Sequence, residues 1–414
     1  MNIRALTAFV ELSSPLDEGV IAHAGELLNR ARAALEGAGF TIQTMRLATQ
    51  SLSEIVQESE ITSLPVFARE VEAAIKRHGI GFVSLGRLGL TDPADYAAAI
   101  PSILEATEVV CASVEIADSH AGIDFARIRA AAQVVAQVGR LTSDGFTNQR
   151  FAALANVRLG GPFFPAAFHS GGAMRFAIAT ESADIAVGAI ASASSLAEAR
   201  RNLITEIEAH AQRMEAAVKS EADNVANAFA GIDFSFAPYP DEARSIGMAL
   251  EKMGLPAVGA PGTLFAAAWL TEALERARFT HTGFCGLMMP VMEDVVLARR
   301  AAESILHVTD LLTYSAVCGT GLDMIPLPGD ITESELAGIL LDVAGLALRL
   351  DKQLTARLLP LPGKQAGDLT DFDSEFIAPS RVLDVARGGL TGLLAGTETI
   401  DLLPRHSTRQ AAAR

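Results

Sequence analysis

The chain has 414 residues, 50% of them hydrophobic, with a formal net charge of −16 and a mean hydropathy of +0.29. That length allows one large domain or two ordinary ones. The acidic balance, with no basic block to offset it, argues against a nucleic-acid partner.

No uncharged apolar run reaches the roughly 18 residues of a membrane span, and the N-terminus lacks the apolar core and cleavage site of a signal peptide. No membrane partner is therefore expected. Cys111, Cys285 and Cys318 cannot all pair and show no C-x-x-C spacing, which fits a reducing cytoplasm.

Residues 3–10 read as a first strand. Ser14-Pro15-Leu16-Asp17 opens an amphipathic helix that Gly37 and Gly39 stop. Strands are expected at 40–47, 81–85 and 109–116, with helices at 65–78 and after Asp92-Pro93. The stretch 122–139 reads as helical, with Phe125, Ile128, Ala132 and Val135 on one face. Strands at 152–157, 176–179 and 185–191 follow, then a long capped helix from 196 to about 229. A strand at 233–239, helices at 241–253, 263–277 and 293–303, and an apolar segment to 317 complete the middle. Helix 333–350 and strand 355–362 precede an ending without clear period. This alternation predicts an α/β architecture with a largely buried sheet or barrel.

One stretch concentrates chemistry. Cys318-Gly319-Thr320-Gly321-Leu322-Asp323-Met324-Ile325 leads through Pro326-Leu327-Pro328-Gly329-Asp330 to Thr332 and Glu335, which have capping-box spacing. Gly319 and Gly321 allow tight turns that expose N–H groups beside the Cys318 sulfur. Cys318 is then a candidate nucleophile or acid/base group, although a cysteine after an apolar run is more often inert core. Asp323 is costly inside an apolar run unless it serves a ligand or metal, or pairs with a buried arginine such as Arg46 or Arg357.

His169, after three phenylalanines in an apolar Gly/Pro loop, is a candidate second proton carrier; packing is the plainer reading. Cys285, bracketed by Gly283 and Gly286, is a candidate ligand-binding residue. Glu293-Asp294 opens a helix, where acids are also ordinary dipole partners. Ser119 and Asp124 sit after a strand, where α/β ligand loops belong, or serve only as turn and cap. Asp323, Asp330, Glu293 and Asp294 form an oxygen-rich set suited to Mg²⁺ or Ca²⁺. Walker A, dinucleotide-binding, nucleophile-elbow and zinc-protease motifs are absent.

Cys318–Asp330, Ser113-Val-Glu-Ile with Gly122-Ile-Asp124, Gly161-Pro-Phe-Phe-Pro-Ala-Ala-Phe168-His169, Phe236-Ala-Pro-Tyr-Pro and Pro360-Leu-Pro-Gly-Lys-Gln-Ala-Gly-Asp368 occur in this chain. With them the sequence resembles the domain-of-unknown-function family numbered seven hundred and eleven, small proteins similar in fold to pyruvate formate-lyase. The resemblance implies one domain over 1–390, followed by a C-terminal segment, 391–414, with a frayed basic tail. It further implies an α/β barrel of about ten strands in two halves, wrapped by helices, with a site inside. The family pattern has a small hydroxyl residue near Cys285, which weakens that thiol as a nucleophile.

The expected function is a radical-free cytoplasmic enzyme acting on a small polar or acidic metabolite in the barrel, in a homo-oligomer. The alternative is a non-catalytic small-molecule or metal-binding regulator on the same fold. Glycyl radical enzymes store the radical on a glycine in an Arg-Val-Ser-Gly-Tyr-like context; this chain has Arg381-Val-Leu-Asp-Val-Ala-Arg387-Gly-Gly389 instead. Electron paramagnetic resonance after anaerobic incubation with an activating enzyme is accordingly expected to be silent; a glycyl doublet would reject this reading.

Overall fold

The apolar runs bracketed by Gly and Pro become the strands of one mixed sheet. The computed structural model describes residues 1–221 and 223–405. Its strands are β1 (Asn2–Val10), β2 (Ile42–Thr49), β3 (Phe82–Leu88), β4 (Val110–Asp118), β5 (Gly122–Asp124), β6 (Phe151–Ala155), β7 (Arg175–Glu181), β8 (Phe229–Asp233), β9 (Gly321–Pro328), β10 (Leu354–Leu361) and β11 (Thr399–Ile400). The main order is β8-β7-β1-β2-β3-β4-β6-β10-β9, with β5 and β11 off this path.

β1, β2, β3, β4 and β6 run parallel. β7 and β10 pair antiparallel to the two edges of that block and carry β8 and β9 parallel to themselves. Every residue of β4 from Val110 to Ala117 is buried, as a strand covered on both faces requires. The expected α/β class therefore holds.

Helices start where the sequence supplies caps. Asp17, Asp124 and Ser195 accept from the N–H groups of Gly19, Arg127 and Glu198. Thr332 and Glu335 form the expected capping box at the start of helix Glu333–Leu350.

Three expectations change. The apolar stretch 185–191 lies in a helix, Ala183–Ala191, not a strand. A short apolar run has no period that separates the two, and Ala and Gly dilute the β-branched residues. The strand expected at 233–239 is shifted upstream to β8. The helix expected from 196 to about 229 ends at Lys219, and β8 already begins at Phe229; the central stretch, given no element from sequence, contains β9.

Residues 280–291 link the outer strands. Ile232 N–H donates to Thr280 O at 2.8 Å and Phe236 N–H to Gly286 O at 3.0 Å. On the other side Gly319 N–H donates to Leu287 O at 2.7 Å and Val291 N–H to Asp323 O at 3.1 Å. The bridges Ile232–His281, Phe236–Leu287 and Pro290–Asp323 are all parallel.

Fully buried Asp233 holds this segment, accepting from Phe284 N–H at 2.7 Å, Cys285 N–H at 2.9 Å and Ser235 Oγ at 2.6 Å. Burial pushes its carboxyl up to about 6 against the pull of those donors.

Near the end of the chain, β11 pairs antiparallel with β5, and Phe125 N–H donates to Glu398 O. The basic tail lies outside the described residues beyond Arg405. Among the described residues no helix is long and apolar enough to cross a membrane.

The approach of segment 280–291 to the chain before β9 depends on two glycines in contact. A Cβ on Gly319 would lie 2.7 Å from Gly286 Cα and 2.8 Å from Gly286 C, so backbone would have to move. Gly319→Ala is expected to cost about 1–3 kcal/mol. A Cβ added at Gly345, inside helix Glu333–Leu350, would meet no atom within 4 Å, and Gly345→Ala should gain about 0.5–1 kcal/mol. Urea titration of both variants checks the contrast; equal stability of the two would show that the glycine contact does not hold the segment.

Candidate functional site

One face of the sheet, with the segments packed on it, lines a cavity of about 340 Å³. Its polar wall comes from β1 (Arg4), β2 (Gln43, Thr44, Arg46), β9 (Asp323) and β10 (Thr355, Arg357), with Glu293 following segment 280–291. Alternation along the strand places Thr44 and Arg46 on one face. Cys111 of β4 and Arg150, just before β6, also line it.

Asp323 reaches the cavity through a bulge. Between the pairs Ala356–Leu322 and Leu358–Ile325, β10 contributes only Arg357 while β9 contributes Asp323 and Met324. Met324 has φ +49°, which accommodates the extra residue. The bulge thus sets Asp323 against Arg357, whose Nε donates to Asp323 Oδ1 at 2.6 Å. Of the two arginines expected as possible partners, Arg357 is the one that pairs.

Arg357 belongs to an alternating chain of charges. Its Nη2 donates to Glu293 Oε1 at 2.8 Å, and Arg4 Nη2 donates to Glu293 Oε2 at 2.8 Å. Arg4 Nη1 donates to Glu181 Oε2 at 3.0 Å, and Arg244 Nη1 to Glu181 Oε1 at 3.3 Å.

The two cavity carboxylates are split electrostatically. Burial opposes charge on Glu293, but Arg357 and Arg4 outweigh it and hold its carboxyl below the ordinary range. Burial raises Asp323 above its ordinary value; Arg357 pulls against that, while Glu293 adds to it. Asp323 Oδ2 has no hydrogen-bond partner among the described residues.

Arg46 is different. Its Nε donates to Thr44 Oγ1 at 2.8 Å, and its guanidinium lies 5.2 Å from the Phe164 ring centre and 5.7 Å from that of Phe82. No carboxylate pairs with it, and its terminal nitrogens have no hydrogen-bond partner, among the described residues. Burial, then repulsion from Arg4, lowers its pKa to about 10, so it stays a cation at neutral pH. Arg150, by contrast, is occupied by the carbonyls of Leu104 and Val110 and by the Thr107 hydroxyl.

The other anticipated residues are dispersed. Cys318 is 2% exposed and outside the cavity lining; its Sγ accepts from Gly321 N–H at 3.3 Å, the expected N–H contact, and its carbonyl accepts from Lys352. Gly321, at φ +99°, packs against Thr355, where a Cβ would be 2.5 Å from the carbonyl oxygen. His169 is also outside the lining. It is buried, its Nε2 has no partner among the described residues, and desolvation lowers its pKa.

Cys285, at φ +44°, donates its thiol to the carbonyls of Ile232 and Thr282, and burial raises its pKa. Ser119 lies in the exposed turn after β4, and Asp124 is the cap of helix Phe125–Val138. The thiol that does line the cavity is Cys111, which burial pushes up to about 11.

The proposed Mg²⁺ or Ca²⁺ set is not brought together. Fully buried Asp294 accepts from Ser245 Oγ and from the N–H groups of Ile246, Val296 and Leu297, so it ties two helix starts. Asp330 pairs with Arg387 at the surface. Glu293 and Asp323 share Arg357. Among the described residues no group of three or more His, Cys, Asp or Glu could hold a metal ion.

Arg4 and Glu181 were missed in the sequence. The signal that singled out Asp323 was there for the basic residues too: Arg4 lies in Ile3-Arg4-Ala5 and Arg46 in Met45-Arg46-Leu47, each a charge inside an apolar strand.

Removing Arg357 would leave two carboxylates facing each other. Arg357→Met should cost about 3–5 kcal/mol at neutral pH. In that variant Glu293 keeps Arg4, but Asp323, already raised by burial, loses the cation that pulls against it and would sit further above its unfolded value. The deficit should therefore shrink as pH falls toward the unfolded range of about 4. Asp323→Asn leaves Glu293 to neutralise Arg357 and should cost less, about 1–3 kcal/mol. Thermal melts across pH test this; a deficit for Arg357→Met that does not vary with pH would contradict it.

The family model described as "Uncharacterised ACR (DUF711)" matches residues 1–375. A UPF0210 protein of Pyrobaculum islandicum is 32% identical over 376 residues, covering 84% of this chain and 80% of its own. One from Pyrobaculum arsenaticum is 35% identical over 355 residues, covering 81% and 77%. A UPF0210 protein of Neisseria meningitidis is 28% identical over 348 residues, with the same coverage of 81% and 77%. With the family match spanning the main sheet, the cavity-lining strands and every member of the charge chain, the chain belongs to the Uncharacterised ACR (DUF711) family.

Proposed function

We propose that this protein is a radical-free enzyme that binds a small acidic metabolite in the cavity and moves a proton between the metabolite and Asp323. The observation that carries the reading is Arg46, a cavity-facing cation with two free donor nitrogens and no carboxylate partner among the described residues. An uncompensated guanidinium in a low-dielectric pocket is stabilised by an incoming carboxylate.

The split between Glu293 and Asp323 supports the chemistry. Where two carboxyls are pushed apart in pKa, the raised one suits proton transfer and the lowered one suits fixed charge. Glu293 then holds Arg4 and Arg357 in place, and Asp323 Oδ2 exchanges the proton. Cys318 and His169 take no part in this scheme.

The same reading includes a ring of ten strands in two halves, like that of pyruvate formate-lyase, with segment 280–291 as the tenth. Its support is the run of parallel backbone bridges from β8 through that segment to β9. A cytoplasmic location and a homo-oligomeric state go with this proposal.

Mass spectrometry of small acids released by denaturing the purified protein tests the binding. An organic acid is expected from the wild type and at least tenfold less from Arg46→Gln. Asp323→Asn should retain the acid while its turnover falls by roughly 10²–10⁴-fold. Equal retention by wild type and Arg46→Gln would reject the site.

A further inference from the structure

Resting on the acid-binding reading above, we infer that the ligand is a monocarboxylic acid with an apolar body, its carboxylate on Arg46 and its body against the aromatic wall. The first support is a count of charges. Arg244, Arg4 and Arg357 alternate with Asp241, Glu181, Glu293 and Asp323, three cations against four carboxylates, so no cation of the chain is left open for a ligand. Arg150 spends its donors on carbonyls and a hydroxyl. Arg46 remains, one cation with two open donors, which matches one carboxylate. A second negative charge on the ligand would find no second open cation among the lining residues and would face Glu293 and Asp323.

The second support is the wall. Phe82 and Phe164 hold the Arg46 guanidinium, and Phe163, Phe284, Phe376 and Ile377 line the cavity as well. These side chains bind no polar group, and they reject a hydrated polyanion. A volume of about 340 Å³ corresponds to roughly ten heavy atoms at the ~30 Å³ one water occupies. A six- to nine-carbon acid, about that size, fills it.

The class follows from these two constraints together. Charge alone would admit phosphate or a dicarboxylate, and apolar walls alone would admit a neutral hydrocarbon. The combination selects an amphipathic monoanion with a chain or a ring.

Calorimetric titration of the full chain tests it with acetate, butyrate, hexanoate, phenylacetate, succinate, inorganic phosphate and hexanamide. Affinity should rise from acetate to hexanoate, about fourfold for each added methylene. Phenylacetate should bind at least tenfold better than acetate, and hexanamide at least tenfold worse than hexanoate. Arg46→Gln should abolish the preference for hexanoate over hexanamide. If that variant does not fold, the same preference in the wild type, absent when Phe164→Ala removes one side of the guanidinium clamp, carries the point.

Tighter binding of succinate or phosphate than of hexanoate would overturn the monocarboxylate class and leave the acid-binding reading intact. Binding of hexanoate undiminished in Arg46→Gln, or no binding of any acid, would overturn both.

Discussion

The interior is organised by a single alternating line of charges: Arg244, Glu181, Arg4, Glu293, Arg357 and Asp323. It connects β7 and β1 on one side to β10 and β9 on the other. A buried ion pair does not by itself stabilise a protein, because desolvation offsets the attraction. Removing one member is a different matter, since its neighbours are left charged and unpaired. The line therefore acts mainly as a constraint on which strand faces which, and the cavity is the space left around it.

The backbone serves that constraint in two places. The bulge on β9 turns Asp323 toward Arg357, at the cost of a left-handed Met324. Segment 280–291 is drawn against β8 by Asp233 and against the chain before β9 by the paired glycines. It presents Phe284, Met288 and Pro290 to the cavity and delivers Glu293 to the line of charges. Residues that sequence marked as ligand- or metal-binding candidates, Cys285 and Asp294 among them, are the fasteners of this arrangement.

Much of the fold was legible. The capping box located the start of helix Glu333–Leu350, and apolar runs broken only by single polar or charged residues marked β1, β4 and β10. The run at 185–191 failed because seven apolar residues carry no period that tells helix from strand. The site was half legible: Asp323 stood out as a charge among apolar residues, and Arg357 was one of two partners considered. Arg4 and Arg46 carry the same signature, but the convergence of the charges is a property of strand order, with partners up to 289 positions apart. Local turn chemistry drew attention instead to Cys318, whose glycines serve packing.

That separation in sequence has a consequence for how the protein is made. Arg4 leaves the ribosome long before Glu293 and Arg357. The parallel block β1 to β4 can pair during synthesis, because each strand meets its neighbour soon after it emerges. Its cavity face, with Arg4 still without Glu293, waits for the later segments. Such long-range closure is slow and leaves apolar strand edges open meanwhile. A nascent chain stalled before β10 would hold most of the sheet but lack Arg357, so the line of charges and the cavity around it are completed only with the last strands of the sheet.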